Sequence, residues 1–484
     1  MSRARPRLRL LSALLLATAC RSTPAPLLTP PQPSAYAIVE GSATPSAPLD
    51  TVDAKTTVGV GRARWSLRDR PHYGADFWQA VSVLDLNSAN LGNRSMEERT
   101  FTAALKQLLD GSPEAAAVGF NALHESAKDS LVRLRSRIGL TMALSWHSDW
   151  PGLAHIGLVA ADSESEETRA AMAASVERWG RALGRLPPAQ FDVPDQSVVL
   201  PMRRSAFGTP VVTIRLNGHP YEFWLDTGAS MTLISADAAI ASGVKLAAMD
   251  TLAIGVVAGH VDARAVYLDS LALGPVVVRG LGAAIVDADV LRLDQRVVSG
   301  KSHPIPIAGM IGTDVLRHLD VVLDAGAETI TIRRARPMNV SSRNLFWVGY
   351  PVVRLVTHDG QPVLFGLDTG AEATYVTTTL LKKLPRTSIA ARRMSLGGLG
   401  SERKRSSWIA REIPLSDGDM GITLRNVPIM PEQRWTFVDF DGVIGSDVAL
   451  TTRMHLDFTN GVFDVRPSAS LSKPTDASGA VKVF

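Results

Sequence analysis

The chain has 484 residues, 45% of them apolar and 20% charged, which is more than one hydrophobic core usually serves, so two or three domains are expected. Lys and Arg outnumber Asp and Glu by 51 to 47, and Arg3, Arg5, Arg7 and Arg9 account for the whole excess. A nucleic-acid-binding surface would survive the subtraction of those four, and none does.

Residues 1–20, MSRARPRLRLLSALLLATAC, run from a basic start through an apolar stretch to small residues before Cys20. The apolar run is far short of the roughly 20 residues a spanning helix needs, so a secretory signal peptide is expected and the chain should be exported. Ala17 and Ala19 fit an A-x-A cleavage site. L-A-T-A-C also resembles the lipobox of bacterial lipoproteins, in which the Cys becomes the lipidated first residue. The second reading places the protein in the periplasm, held to the membrane through lipid on Cys20. Cys20 is the only cysteine, which excludes a disulfide within the chain and any C-x-x-C metal site. Residues 21–60, rich in Pro, Ser and Thr, read as an extended tether.

A helical domain is expected over 61–190, with helical periodicity from roughly 76 to 184. MEERTFTAALKQLLDG, the long segment from Ser112-Pro113 onward, and SESEETRAAMAASVERWGRAL space apolar residues three or four apart, with Ser112-Pro113 and Ser163 as helix starts. Paired Ala-rich helices resemble tetratricopeptide-type units, which would offer a surface to a protein partner. No full repeat of that kind recurs, and a generic bundle is the other reading. After Leu186-Pro187-Pro188 the period ends, and from 198 the Val, Leu, Ile and Thr content marks an all-β region.

That region is written twice. NGHPYEFWLDTGASMT matches DGQPVLFGLDTGAEAT, LGPVVVRGLGAAIVD loosely matches DGDMGITLRNVPIMP, and AGMIGTDVLRHLDVVLD matches DGVIGSDVALTTRMHLD, in the same order. Residues 198–335 and 340–467 therefore read as two copies of one β-lobe, followed by a flexible tail at 468–484. Packing two barrels would not require L-D-T-G-A in both, because Asp and Gly are poor strand residues.

Two carboxylates sharing one water can hydrolyse a peptide bond without metal or covalent nucleophile: one acts as base, and the other, protonated, polarises the carbonyl. Like charges about 3 Å apart cannot both ionise, so the pair holds one proton and titrates as a unit. Each lobe supplies one such group, Asp226 or Asp368. Gly228 and Gly370 allow the backbones to approach, and the hydroxyls of Thr227 and Thr369 can bond across the interface.

In these residues the chain resembles the aspartic peptidases, and within them the retropepsin-like branch, over about 198–467. The resemblance rests on D-T-G-A at Asp226–Ala229 and Asp368–Ala371 and on the apolar-apolar-Gly turns ending at Gly312 and Gly445. It implies a bilobal, all-β aspartic endopeptidase with both catalytic Asp residues in one chain, acting as a monomer on peptide or protein substrates and needing no cofactor. It also implies that the turns at Gly312 and Gly445 support the catalytic loops. Ser230 and Glu372 fall where the family binds substrate main chain, and their difference implies an asymmetric cleft. Gly259 and Gly398 lie in segments that read as two flaps. Thr313 and Ser446 stand where retroviral enzymes carry Arg. Ala229 and Ala371 replace the hydroxyl residue of pepsin-like enzymes, so no side-chain hydroxyl is expected at the carboxylates, and an activity maximum at about pH 4 to 6.5 follows.

Blander readings exist for several residues. Asp226 and Asp368 could merely cap turns, and Glu372 could be a solvated charge. His260 and His303 lack metal-ligand spacing, and no metal site is expected. DADVLRLD at 287–294 lacks the Gly and Glu of a calcium loop, and ERKRSS at 402–407 reads as a solvated hairpin face. A non-catalytic peptide- or partner-binding module with the protease fold is the alternative to an enzyme.

Overall fold

A computed structural model describes residues 56–468 apart from 63–75, 157–165, 206–207, 257–258, 297–301, 339–342, 385–388, 399–400, 418–419 and 432. The signal segment, Cys20 and most of the tether lie outside the described residues.

Among the described residues seven helices form the N-terminal layer: α1 (Phe77–Ser82), α2 (Leu86–Ala89), α3 (Met96–Leu109), α4 (Pro113–Ser126), α5 (Ser130–Trp146), α6 (Trp150–Ile156) and α7 (Glu166–Leu183). Their starts follow from local chemistry. Ser95 and Glu98 form a reciprocal capping box on α3, and Pro113 occupies the first turn of α4 behind Ser112. The Asp129 carboxylate accepts from the first amides of α5. Ser163, expected to begin the last helix, lies outside the described residues. The unequal helix lengths suit a bundle as well as repeating pairs.

The apolar faces of these helices are spent within the chain. Phe101 packs edge-on against Phe120 at 5.4 Å and Phe437 at 5.7 Å, and Trp146 meets Trp347 at 6.0 Å. Farther along, Trp179 and Leu183 of α7 join a second cluster with Leu252, Ala263 and Ala284. Thr57–Arg62, expected to be the end of the tether and the first residues of the helical domain, is instead an edge strand antiparallel to Met420–Met430. Alternation of Val58 and Val60 with small polar neighbours suits such a strand.

The rest is β-structure, and corresponding strands pair alike in both halves. Pro210–Leu216 turns through Asn217-Gly218, both at positive φ, into His219–Leu225. Pro351–Thr357 turns through Asp359-Gly360 into Pro362–Leu367. Gly309–Ile311 lies parallel to Phe223–Leu225, and Gly442–Ile444 lies parallel to Phe365–Leu367. The halves are joined by one sheet, in which Leu319–Asp324 pairs antiparallel with Thr452–Asp457 and the last described strand, Val462–Pro467, adds on beyond. Ser468, expected in the flexible tail, is buried and donates to Asp324 at 2.6 Å.

Candidate active site

Asp226 and Asp368 each follow a strand whose last three residues are buried and which ends in Leu225 or Leu367. The adjoining parallel strand holds each one in place: the Asp226 amide donates to Ile311 O at 3.0 Å and the Asp368 amide to Ile444 O at 2.9 Å. Both carboxylates curl back onto their own loops. Asp226 Oδ1 accepts from the amides of Gly228 (2.8 Å) and Ala229 (3.2 Å), and Asp368 Oδ1 accepts from Gly370 and Ala371, both at 3.0 Å.

The structure brings the two motifs together. Asp226 and Asp368 share a hydrogen bond between their carboxyl groups. A Cβ on Gly228 would lie 2.4 Å from Asp368 Cγ, and one on Gly370 would lie 2.5 Å from Asp226 Cγ. Each glycine is thus the floor under the opposite carboxyl group, a contact that any other residue would block. Beneath, Thr227 Oγ1 donates to Leu367 O (2.9 Å) while accepting from the Thr369 amide (2.9 Å). Thr369 Oγ1 donates to Leu225 O (2.6 Å) and accepts from the Thr227 amide (3.0 Å). These four bonds are buried and cross from one half to the other.

The apolar-Gly turns lie against the two D-T-G-A loops. Extra atoms on Gly312 or Gly445 would strike backbone at 2.8 Å (Ala229 O) and 2.5 Å (Ala373 C). Thr313 and Ser446 bond those loops: the Thr313 amide and hydroxyl donate to Ala229 O at 2.8 and 3.0 Å, and the Ser446 amide donates to Ala371 O at 2.8 Å. A neighbouring pair of acids was not singled out from sequence. Asp314 accepts from the Thr232 amide and hydroxyl, both at 2.9 Å, and Asp447 accepts from those of Thr374 at 3.0 and 2.6 Å. The signal was present in the G-x-D-V continuation of each turn and in the Thr six residues after each of Asp226 and Asp368.

Ser230 and Glu372 are exposed beside the loops. Gly259 pairs with Val256, and Gly398 pairs with Ser401, near the tips of two hairpins. Only the first hairpin is gripped by a helix among the described bonds, Trp179 Nε1 donating to Ala253 O at 2.9 Å. Among the described residues no group of His, Cys, Asp and Glu is arranged to hold a metal ion.

Burial, and then the Asp368 charge, push Asp226 well above the usual carboxylate range. Burial also raises Asp368, but its bonds from Ala371, Asp226, Gly370 and Tyr350 oppose that rise. Tyr350 corrects an expectation: Ala229 and Ala371 supply no hydroxyl, yet a phenol from the bend that precedes Pro351–Thr357 donates to Asp368.

Residues 212–315, a segment that contains Asp226 and the Gly312 turn, match the family model described as aspartyl protease. That stretch carries the pattern of the aspartyl protease family. Among solved structures the chain is similar to an aspartic proteinase from Irpex lacteus, at 11% identity over 58% of this chain and 100% of that one, with a TM-score of 0.35. It is also similar to a retropepsin-like aspartic protease from Rickettsia conorii, at 15% identity over 30% of this chain and 96% of that one, with a TM-score of 0.19. Both scores are too low to add to what the site's own geometry shows. No curated protein matches the chain.

Proposed function

We propose that the chain is an exported, bilobal aspartic endopeptidase whose two carboxyl groups come from one chain. The observation that carries this reading is the contact of Asp226 with Asp368 over a floor made by each other's glycines. Asp368 takes a proton from water as the hydroxide oxygen bonds to the scissile carbonyl carbon, while Asp226 gives its proton to the carbonyl oxygen. The resulting tetrahedral diol collapses as the amide nitrogen takes the proton held by Asp368 and the C–N bond breaks. Asp226 regains the proton of the re-forming carboxyl group. Ser230 and Glu372 face the substrate main chain from opposite sides, and the Gly259 and Gly398 hairpins close over it.

The test is incubation of the purified mature chain with a mixed peptide library at several pH values, with and without pepstatin. Cleavage that pepstatin stops supports the reading. Peptide capture without cleavage would establish a binding module instead. We place the enzyme in the periplasm, tethered by lipid on Cys20. Labelled palmitate should enter the wild type and not Cys20→Ala, and a wild type that stays unlabelled and freely soluble would point to plain A-x-A cleavage.

A further inference from the structure

The two halves differ at one pair of positions that strand register equates. Val211 faces Trp224 across the first hairpin, and Val352 faces Gly366 across the second. Trp224 and Gly366 both stand two residues before the catalytic Asp, and the residues two before Val211 and Val352 are Thr209 and Tyr350. Large and small are therefore exchanged: Trp with Thr in the first half, Gly with Tyr in the second. Thr209 is fully buried, and its hydroxyl has no partner among the described residues. Tyr350 fills the space that Gly366 leaves. A Cβ on Gly366 would lie 2.9 Å from Tyr350 Cε1, and the ring also leans on Phe440 at 5.9 Å. The turn that delivers it has Gly349 at φ 79° and a Val348 amide bond to Tyr350 O at 3.1 Å. Residues two apart on a strand share a face, so a ring lying over Gly366 is carried along to Asp368, and the phenol donates to that carboxylate.

We propose that Tyr350 is a positioning residue of the dyad: its phenol, seated on Gly366, holds Asp368 as the ionised base and so leaves the shared proton on Asp226. This rests on the peptidase reading above. The groups facing the pair are Asp226, Tyr375 and the amides of Gly370 and Ala371. None of them treats Asp368 as Tyr350 does: the amides have counterparts at Asp226, whereas the phenol has none, since Thr209 occupies its place in the first half. A symmetric dyad would choose its base only when substrate arrives. Here the choice is built in, and the substrate must enter with its carbonyl oxygen towards Asp226.

Tyr350→Phe keeps the ring and removes the donor. The acid limb of the kcat/KM profile should move up by roughly one to two pH units, as expected for a lost hydrogen bond to a charged group, with the basic limb moving less. Gly366→Ala, which pushes the ring away while keeping the hydroxyl, should move the same limb in the same direction. A second readout needs no activity. With ring-13C tyrosine, the Tyr350 Cζ signal, identified among six tyrosines by its loss in Tyr350→Phe, should shift as the dyad titrates and stay flat in Asp368→Asn. An acid limb unmoved in both variants, or a Tyr350 signal indifferent to Asp368, would overturn the proposal. Should the wild type cleave no peptide while the Tyr350 signal still follows Asp368, the peptidase reading fails and the contact between the two residues stands.

Discussion

Thr227→Val tests whether the crossed threonines hold the halves together. Valine keeps the shape and deletes the hydroxyl, which accepts from the Thr369 amide at 2.9 Å and donates to Leu367 O at 2.9 Å. Thr369 and Leu367 are fully buried, so no water replaces either bond. An orphaned buried amide costs about 1 to 3 kcal/mol, and the carbonyl's lost donor adds about 1 kcal/mol, for a total of about 2 to 4 kcal/mol. For a domain of this size that corresponds to a fall in Tm of roughly 4 to 16 °C. Differential scanning calorimetry on the purified chain measures it. Thr227→Ser, which keeps the hydroxyl, should recover most of the loss. A valine variant that melts within about 2 °C of the wild type would show that these bonds are not what joins the halves.

Gly370→Ala should abolish turnover while leaving far-UV circular dichroism unchanged, because the added methyl would sit 2.5 Å from Asp226 Cγ and must push the carboxyl groups apart. Retained activity would mean that the floor beneath the dyad can yield. The contribution of Asp314 to stability should fall as pH rises from about 4 to about 6. Buried Asp314 is pushed up to about 6 from 3.8, so the unfolded chain gives up its proton first. The stability due to this group is complete below the unfolded value and lost by the folded one, up to about 3 kcal/mol. Asp226 and Asp417 act in the same direction. At Asp320 burial is outweighed by His455 and Arg333, so its contribution disappears only below the ordinary carboxylate range. Buried His318, held down to about 3, slopes the other way across this window, so the Asp314 share is read by difference: the urea midpoint of Asp314→Asn should fall less, or rise more, than that of the wild type between pH 4 and 6, and parallel profiles contradict the assignment.

The chemistry-bearing part of the site was legible because it is local. An Asp, a hydroxyl and a Gly in fixed order do the same work wherever a strand ends, and the repeat announced that the work is done twice. The helical span was also legible, since α1 begins at Phe77 and α7 ends at Leu183, close to where the period starts and stops. What was not legible depends on register. Tyr350 lies 18 residues before Asp368, and nothing in its neighbours says that Gly366 has left room for its ring. The pairing of Leu319–Asp324 with Thr452–Asp457 joins segments that each read as ordinary strands. Thr57–Arg62 is too short and too Gly-rich to stand out from a tether, and it becomes a strand only because Met420–Met430 offers an edge. The aromatic residues of the helices gave no sign that their target was the same chain.

The central claim is that both carboxyl groups of one site belong to one chain. Purified Asp226→Asn and Asp368→Asn, each shown to be monomeric by size-exclusion chromatography with light scattering, should be assayed separately and then mixed in equal amounts against a peptide that the wild type cleaves. Each variant alone should show no turnover, and the mixture should also show none, because neither chain carries a complete pair. Near-normal activity of Asp368→Asn alone, or recovery of activity on mixing, would mean that the working site is built between chains and would contradict the account.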